Sequence, residues 1–429
     1  MKQMNQEKIA IIGLGYVGLP LAVAFSQKYK VVGFDINTHR VNQLNDGFDQ
    51  TLEVEEHLLK SVLNSTKNGI GLENTSSLEE LKDCNIFVIT VPTPVDKDKK
   101  PDLSPLIGAT KMIGGIIKKD DIIIYESTVY PGCTEEDCVP ELEKASGLVF
   151  NLDFYCGYSP ERINPGDKIN TLTSIKKVTS GSNKAIAKKV DDLYKSIITA
   201  GTHLAPSIKV AEASKAIENA QRDINISFVN ELALMFDRMN IDTTDVLEAA
   251  GTKWNFIKYR PGLVGGHCIS VDPYYLKQKA ESLGYYPAVI SSGRKVNDAM
   301  GEFIASKVVK LLIRKGKKVK GSRSLLLGIT FKENCPDIRN TRSIDIFHEL
   351  KAYGVVVDVY DPWASVDQVR DELGIDLISA VDLNTYDSVI LAVSHKGFEN
   401  LDYLQIRSND GVIFDVKSFL PREIVDARL

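Results

Sequence analysis

No stretch of the 429 residues reaches the roughly 18 consecutive apolar residues that a membrane-spanning helix needs. The opening segment MKQMNQEKIAIIGLGYVG runs from apolar residues into glycines, not into a small-residue cleavage site. It therefore does not read as a secretory signal, and a cytoplasmic location is expected. Cysteine is sparse. The six residues Cys84, Cys133, Cys138, Cys156, Cys268 and Cys335 are scattered, which argues against a disulfide framework. No Cys–His pair follows Cys133 and Cys138 at zinc spacing, and no His/Asp cluster stands at ligand spacing, so no metal is expected. Excess positive charge is lacking too. The formal net charge of −5 disfavours non-specific binding to nucleic acid or anionic membranes. An anionic ligand would have to be met by locally clustered Lys and Arg. Low-complexity segments and short repeats are absent.

What is present fits an ordinary globular protein of two or three domains, with 43% apolar and 25% charged residues. Runs rich in Ile and Val (KIAIIGLG, KVVGFD, CNIFVITVP, DIIIYESTV) alternate with amphipathic stretches such as 20–28 and 103–118. Continuous apolar strands separated by helices indicate a parallel sheet buried on both faces, so a doubly wound α/β domain is expected over 1–205. From Pro206 onward more than thirty residues pass without Gly or Pro, which reads as one long helix. At about 100° per residue, Ile217, Ala220, Ile224 and Phe228 share one side of it, and Lys215, Asn219 and Arg222 the other. A buried apolar face and a separate cationic face are expected. TTDVLEAAG and 272–284 add further helix to this middle region, 206–300. After the basic linker RKGKKVKGSRS, the runs SLLLGIT, VVVDVYDP, DSVILAVSH and GVIFDVKS predict a second α/β domain over 301–429. The expected fold is thus two Rossmann-like doubly wound domains joined by a long central helix and a helical region.

The first apolar run ends in G-x-G-x-x-G, with Gly13, Gly15 and Gly18 enclosing Tyr16 and Val17. The motif follows a strand, opens a helix, and is followed by Asp35 at the end of the next strand. Gly13 permits the tight turn, Gly15 lets backbone approach a pyrophosphate, and Gly18 lets helix pack on strand. The helix N-terminus adds N–H donors and a positive dipole end. Asp35 would accept from the adenine ribose and repel a 2′-phosphate, favouring NAD over NADP; FAD is the further alternative. Arg40 lies just beyond Asp35. Thr93 in VPTP and Thr128 in ESTVYPG end strand-like runs, at the sheet edge where such folds bind ligands. Each is otherwise a turn or cap residue.

A second candidate site surrounds Cys268 in PGLVGGHCISVDPYYL. A free cysteine is most often a small buried hydrophobe. Here glycines precede it, and Asp272-Pro273 reads as the start of a helix, a place that favours thiolate. His267 is adjacent in sequence, so it points elsewhere and reads as packing or a substrate contact.

The ordered motifs GLGYVG, VPTP, ESTVYPG, YSPERINPGD, EASKAIENAQRD, GGHCISVDP and GITFKENCPDIRNTRS resemble, over nearly the full length, the nucleotide-sugar 6-dehydrogenases that include the UDP-glucose and GDP-mannose enzymes. The resemblance implies an NAD-binding domain, a helical dimerisation core, and a C-terminal domain completing a nucleotide-sugar site. It implies oxidation of a sugar C6 alcohol to a carboxylate with two NAD+ per sugar, in a homodimer or higher homo-oligomer. Cys268 would trap the aldehyde as a thiohemiacetal and carry it on as a thioester. Lys215 would stabilise the oxyanion, Asn219 would donate beside it, and Asp272 would orient water or hold Lys215. Glu161 would be the general base for hydrolysis, and Thr128 would help place the water. Outside this resemblance, Lys215 is a solvated helix lysine and Glu161 an ion-pair partner of Arg162. The same likeness places Lys332, Tyr259, Gly265, His267 and Arg162 near the sugar nucleotide, Arg260 at its phosphates, and Arg339 at the cofactor or between domains.

The sugar is expected to be a UDP-N-acetylhexosamine, glucosamine or galactosamine, for surface-polysaccharide synthesis. The UDP-glucose branch carries Lys-Asp after its cysteine and a PEFLREG-like loop, whereas this chain has Val271 before Asp272 and the loop PERINPGD. Arg222 is then a candidate contact for the acetamido group, or else a helix-surface charge. The alternatives are oxidation of UDP-glucose, UDP-N-acetylmannosamine or GDP-mannose, and a catalytically dead NAD-sensing protein.

Overall fold

The computed structural model describes residues 7–63, 69–96, 99–162, 170–266, 269 and 271–429. The chain folds as two compact units, one of residues 1–218 with 274–279 and one of residues 219–273 with 280–429.

The first unit is built on strands β1 (Lys8–Ile12), β2 (Lys30–Phe34), β3 (Gly71–Thr75), β4 (Ile86–Ile89), β5 (Ile122–Tyr125), β6 (Tyr155–Tyr158), β7 (Lys177–Gly181) and β8 (Thr202–Leu204). Their order is β3-β2-β1-β4-β5-β6-β7-β8, and only the β6–β7 pairing is antiparallel. The apolar runs are continuous because alternate residues feed opposite layers. Ile9 and Ile11 join one core with Val31, Val88 and Ile124, while Ala10 and Ile12 join the other with Phe34, Phe87 and Tyr125. Strand order reverses between β1 and β4, which places a crevice at their carboxyl ends, the usual ligand edge of a doubly wound sheet. The sequence signal missed β3 and β6–β8. These strands are short and carry polar residues such as Glu73, Asn74, Lys177 and Thr179.

The second unit holds strands β9 (Arg323–Leu327), β10 (Val356–Tyr360), β11 (Tyr386–Leu391), β12 (Arg407–Asp415) and β13 (Ala427–Arg428), all parallel, in the order β10-β9-β11-β12-β13. The basic segment ahead of β9 is not a free linker: Lys315 pairs with Asp426 at 2.5 Å and Lys317 with Asp387 at 3.2 Å.

The long helix is Ile208–Met239, and it ends at Asn240, whose φ of +55° leaves the helical region. Its expected polarity holds at Ala220, which is buried, and at Arg222, which is exposed, but is reversed elsewhere. Ile217 and Phe228 are each 56% exposed, whereas Glu212, Lys215, Asn219, Asp223, Ser227 and Asn230 are buried. Glu212, Asn219, Asp223 and Asn230 of this polar stripe have dedicated partners. In the second unit Asp223 takes Arg294 Nη1 at 2.6 Å and Asn297 Nδ2 at 2.7 Å. Asn230 receives Gly262 N at 2.8 Å and donates to Gly262 O at 3.0 Å.

A buried ion pair with one member removed leaves an uncompensated charge. Arg294→Met should therefore destabilise the second unit by about 3–5 kcal/mol in urea titration at neutral pH. Adding Asp223→Asn to that background should recover part of the loss.

Candidate active site

The glycine turn after β1 bears out the steric reasons for its glycines. Gly13 has φ +94°, and its N–H donates to Phe34 O at 2.8 Å. A Cβ at Gly18 would lie 1.8 Å from Gly13 O and 2.4 Å from Thr90 Oγ1, so helix Gly18–Ser26 packs here only with glycine. Gly15 differs: a Cβ there meets nothing within 4 Å, and the residue is exposed. The fold itself makes no steric demand for glycine at 15, as expected where a pyrophosphate approaches the backbone. Half-buried Tyr16 and Val17 lead into the helix. Asp35, just past β2, accepts from Leu14 N and Asn37 N, both at 2.9 Å, so its carboxylate is fixed beside the turn. Arg40 is turned inward. Its guanidinium donates to Leu14 O at 3.0 Å and pairs with buried Asp49 at 2.7 Å. Arg40 thus braces the turn at Leu14 from beneath through Nε.

Thr93 and Thr128 come together beyond the ends of β4 and β5, where Thr93 Oγ1 donates to Thr128 O at 2.6 Å. The turn that follows Thr128 is anchored by Glu212 of the long helix, which accepts Gly132 N at 2.5 Å and Thr134 N at 2.9 Å. Burial pushes the Glu212 carboxyl up to about 7 against those hydrogen bonds.

Glu161 is buried beyond β6, and its carboxylate pairs with Lys177. Glu161 Oε2 lies 2.6 Å from Lys177 Nζ, while Arg162 pairs with Glu218 at 2.7 Å. Lys177 also reaches Glu126 Oε2 at 2.8 Å, and Glu126 takes the hydroxyl of Tyr194. This cluster was not found from sequence. Its one available signal was Glu126, an acid closing the otherwise apolar strand IIIY. Lys215 is 7% exposed, so the reading of a solvated surface lysine fails.

In the second unit, Asp272 opens helix Asp272–Ser282, and its Oδ2 accepts from Asn219 Nδ2 at 2.5 Å. His267 and Cys268 lie outside the described residues. The two glycines before them are required by the protein itself. A Cβ at Gly265 would lie 2.6 Å from Asn340 O, and one at Gly266, where φ is +85°, would lie 2.8 Å from the Phe331 ring. This close packing accounts for both glycines and seats Gly265 and Gly266 against the loop bearing Lys332 and Arg339. Lys332 lies over the Phe331 ring at 5.6 Å, and Arg339 grips Asp337 through Nε and Nη2. Tyr259 is half-buried; Arg222 and Arg260 are exposed, the latter with Glu248 4.0 Å away. The described cysteines are free and buried. Burial pushes Cys84 up to about 11 and Cys156 well above its ordinary value, so neither competes as a nucleophile.

Three models of one family match the chain in order: its NAD binding domain over residues 7–198, its central domain over 209–299, and its UDP binding domain over 325–422. The chain belongs to the UDP-glucose/GDP-mannose dehydrogenase family. It is an NAD-dependent nucleotide-sugar dehydrogenase. It is 56% identical to the UDP-N-acetyl-D-glucosamine 6-dehydrogenase of Pseudomonas aeruginosa, over 99% of this chain and 100% of that one. The enzyme of that name from Salmonella typhi is 54% identical over 99% of each chain. Among solved structures, the UDP-D-ManNAc dehydrogenase of Pyrococcus horikoshii superposes with a TM-score of 0.88 at 29% identity, covering 98% of both chains.

For a dehydrogenase of this family the glycine turn fits NAD: Gly15 leaves open backbone, and Asp35 stands fixed beside it. Gly15→Ala should leave the melting temperature unchanged and weaken NAD binding about tenfold, by calorimetric titration. Gly18→Ala should lower both, because the helix must move off β1.

Proposed function

We propose that this chain is a UDP-N-acetyl-D-glucosamine 6-dehydrogenase, oxidising the C6 hydroxyl to the uronic acid in the cytoplasm for surface-polysaccharide precursors. The observation that carries this reading is the 56% identity over 99% of the chain to an enzyme of that name. The absence of the Lys-Asp and PEFLREG-like features of the UDP-glucose branch supports it. We assign NAD binding to 1–205, the helical catalytic and dimerisation region to 206–300, and UDP-sugar binding to 301–429.

NAD, when bound, accepts a hydride in each of the two oxidations, so two are consumed per sugar. Cys268 adds to the C6 aldehyde and holds it first as a thiohemiacetal, then, after the second hydride has left, as a thioester. Water then attacks the thioester carbonyl, the C–S bond breaks, and uronate departs as the thiol is restored. Lys215 stabilises the oxyanion, and its burial makes that charge count for more than a solvated one. Asn219 gives one amide hydrogen to Asp272, which leaves the other for the oxyanion. Glu161 takes the proton of the attacking water, with Thr128 helping to place it. Arg222 meets the acetamido region. Arg162, Tyr259, Gly265, His267 and Lys332 surround the sugar nucleotide, Arg260 meets its phosphates, and Arg339 serves the cofactor side.

The exposed stripe Ile217, Phe228, Met235 and Met239 on one face of the long helix supports a homodimer through that face.

Four measurements test this reading. In a panel of nucleotide sugars, UDP-N-acetylglucosamine should give two NADH and a uronate of matching mass; faster turnover of UDP-glucose would overturn the substrate. Cys268→Ser should cut uronate formation at least a thousandfold, and Glu161→Gln should accumulate acyl-enzyme visible by intact mass. Phe228→Asp should convert a dimer to monomer in sedimentation.

A further inference from the structure

Lys177 opens β7 with its side chain 2% exposed, and it is met from three sides. Glu126 comes from the end of β5, Glu161 from beyond β6, and the Tyr194 ring from helix Lys184–Lys195, 5.4 Å from the ammonium. Glu126 is held in turn by the Tyr194 hydroxyl, and Glu161 Oε1 accepts Arg162 N at 2.5 Å. The Arg162 guanidinium pairs with Glu218. Among the described residues, two buried carboxylates thus meet the ammonium of Lys177. A buried ion cluster is a poor device for stability, because desolvation consumes most of the attraction. Its value lies in holding charged groups in a set geometry where water cannot reorganise them.

We propose that Glu126 and Lys177 form a positioning pair for Glu161: Lys177 aims the Glu161 carboxylate, and Glu126, by taking part of the same ammonium, keeps Glu161 a competent proton acceptor. The proposal rests on the reading of Glu161 as the base of thioester hydrolysis. With Glu126 ionised, the ammonium is divided between two anions. With Glu126 neutral, the full cation faces Glu161 and makes it a poorer proton acceptor. Burial, offset in part by Lys177, pushes Glu126 up to about 7, so the division weakens as pH falls through neutrality. Tyr194 acts in the opposite sense, because its hydroxyl favours the ionised form of Glu126.

The test is single-turnover release of uronate from pH 5 to 9, with enzyme in excess, for wild type, Glu126→Gln, Tyr194→Phe and Glu161→Gln. Glu126→Gln keeps shape and hydrogen bonds while removing the charge. Its acid limb should move down by about one pH unit and its plateau fall about threefold, as a weaker base requires. Formation of the first NADH should keep its wild-type rate, which a merely structural lesion would not allow. Tyr194→Phe should shift the limb the same way by less, and it decides the matter if Glu126→Gln does not fold. Limb and plateau unmoved in both, while Glu161→Gln accumulates acyl-enzyme, would refute the pair alone. Wild-type hydrolysis by Glu161→Gln would remove the base itself, and the pair with it.

Discussion

The hydrogen bonds made by the inward polar stripe of helix Ile208–Met239 are the constraint on which the candidate site depends. Buried polar groups must be satisfied, and leaving one unpaired costs about 1–3 kcal/mol. Glu212 can be buried only with the turn at 132–134 in place, and Asn219 is held by Asp272. Asn230 fixes Gly262 by both its N–H and its carbonyl. One regular element thereby sets the position of three loops far apart in sequence. Each contact is local to its own unit, and each strands a polar group if the loop moves.

A second polar knot does similar work at the carboxyl edge of the second sheet. Buried His395, after β11, stands 3.1 Å from Asp361 after β10, and accepts Asn334 N at 2.9 Å. Thr330, after β9, meets the same imidazole at 3.1 Å and donates to Lys332 O at 3.0 Å. Asp361 also accepts Ile329 N and Thr330 N. The loop carrying Lys332 is thus tied to three strand ends, and Gly265 and Gly266 pack against it. Asn340 O and the Phe331 ring are the groups those two glycines meet.

Legibility from sequence followed physical scale. Strands buried on both faces announce themselves: β1, β2, β4, β5 and β10 fell within the apolar runs, and β9, β11 and β12 overlapped them. The G-x-G-x-x-G turn was readable because its constraints are steric and local. What escaped depended on partners distant in sequence. Periodicity placed Ile217 and Phe228 in a core, but no local signal reveals that Glu212, Asn219 and Asp223 have waiting partners at 132, 272 and 294. The same holds for Glu161: Arg162 was its nearest cation along the chain, yet a strand pairing delivered Lys177. The pairing of Arg40 with Asp49 was hidden likewise, since Asp49 lies within a segment that has no strong pattern.

The long helix also links assembly to chemistry. A helix has one circumference, and this one gives its inward side to polar groups that hold loops and, in the proposed mechanism, reacting atoms. Several of its larger apolar residues, Ile217, Phe228, Met235 and Met239, are left facing outward, where a single copy cannot cover them. The proposed homodimer follows from that allocation. A substitution on the outer stripe that tilts the helix would also disturb Lys215 and Asn219 on the inner one. A loss of activity in a dimer-breaking variant would therefore not require any residue to be shared between subunits.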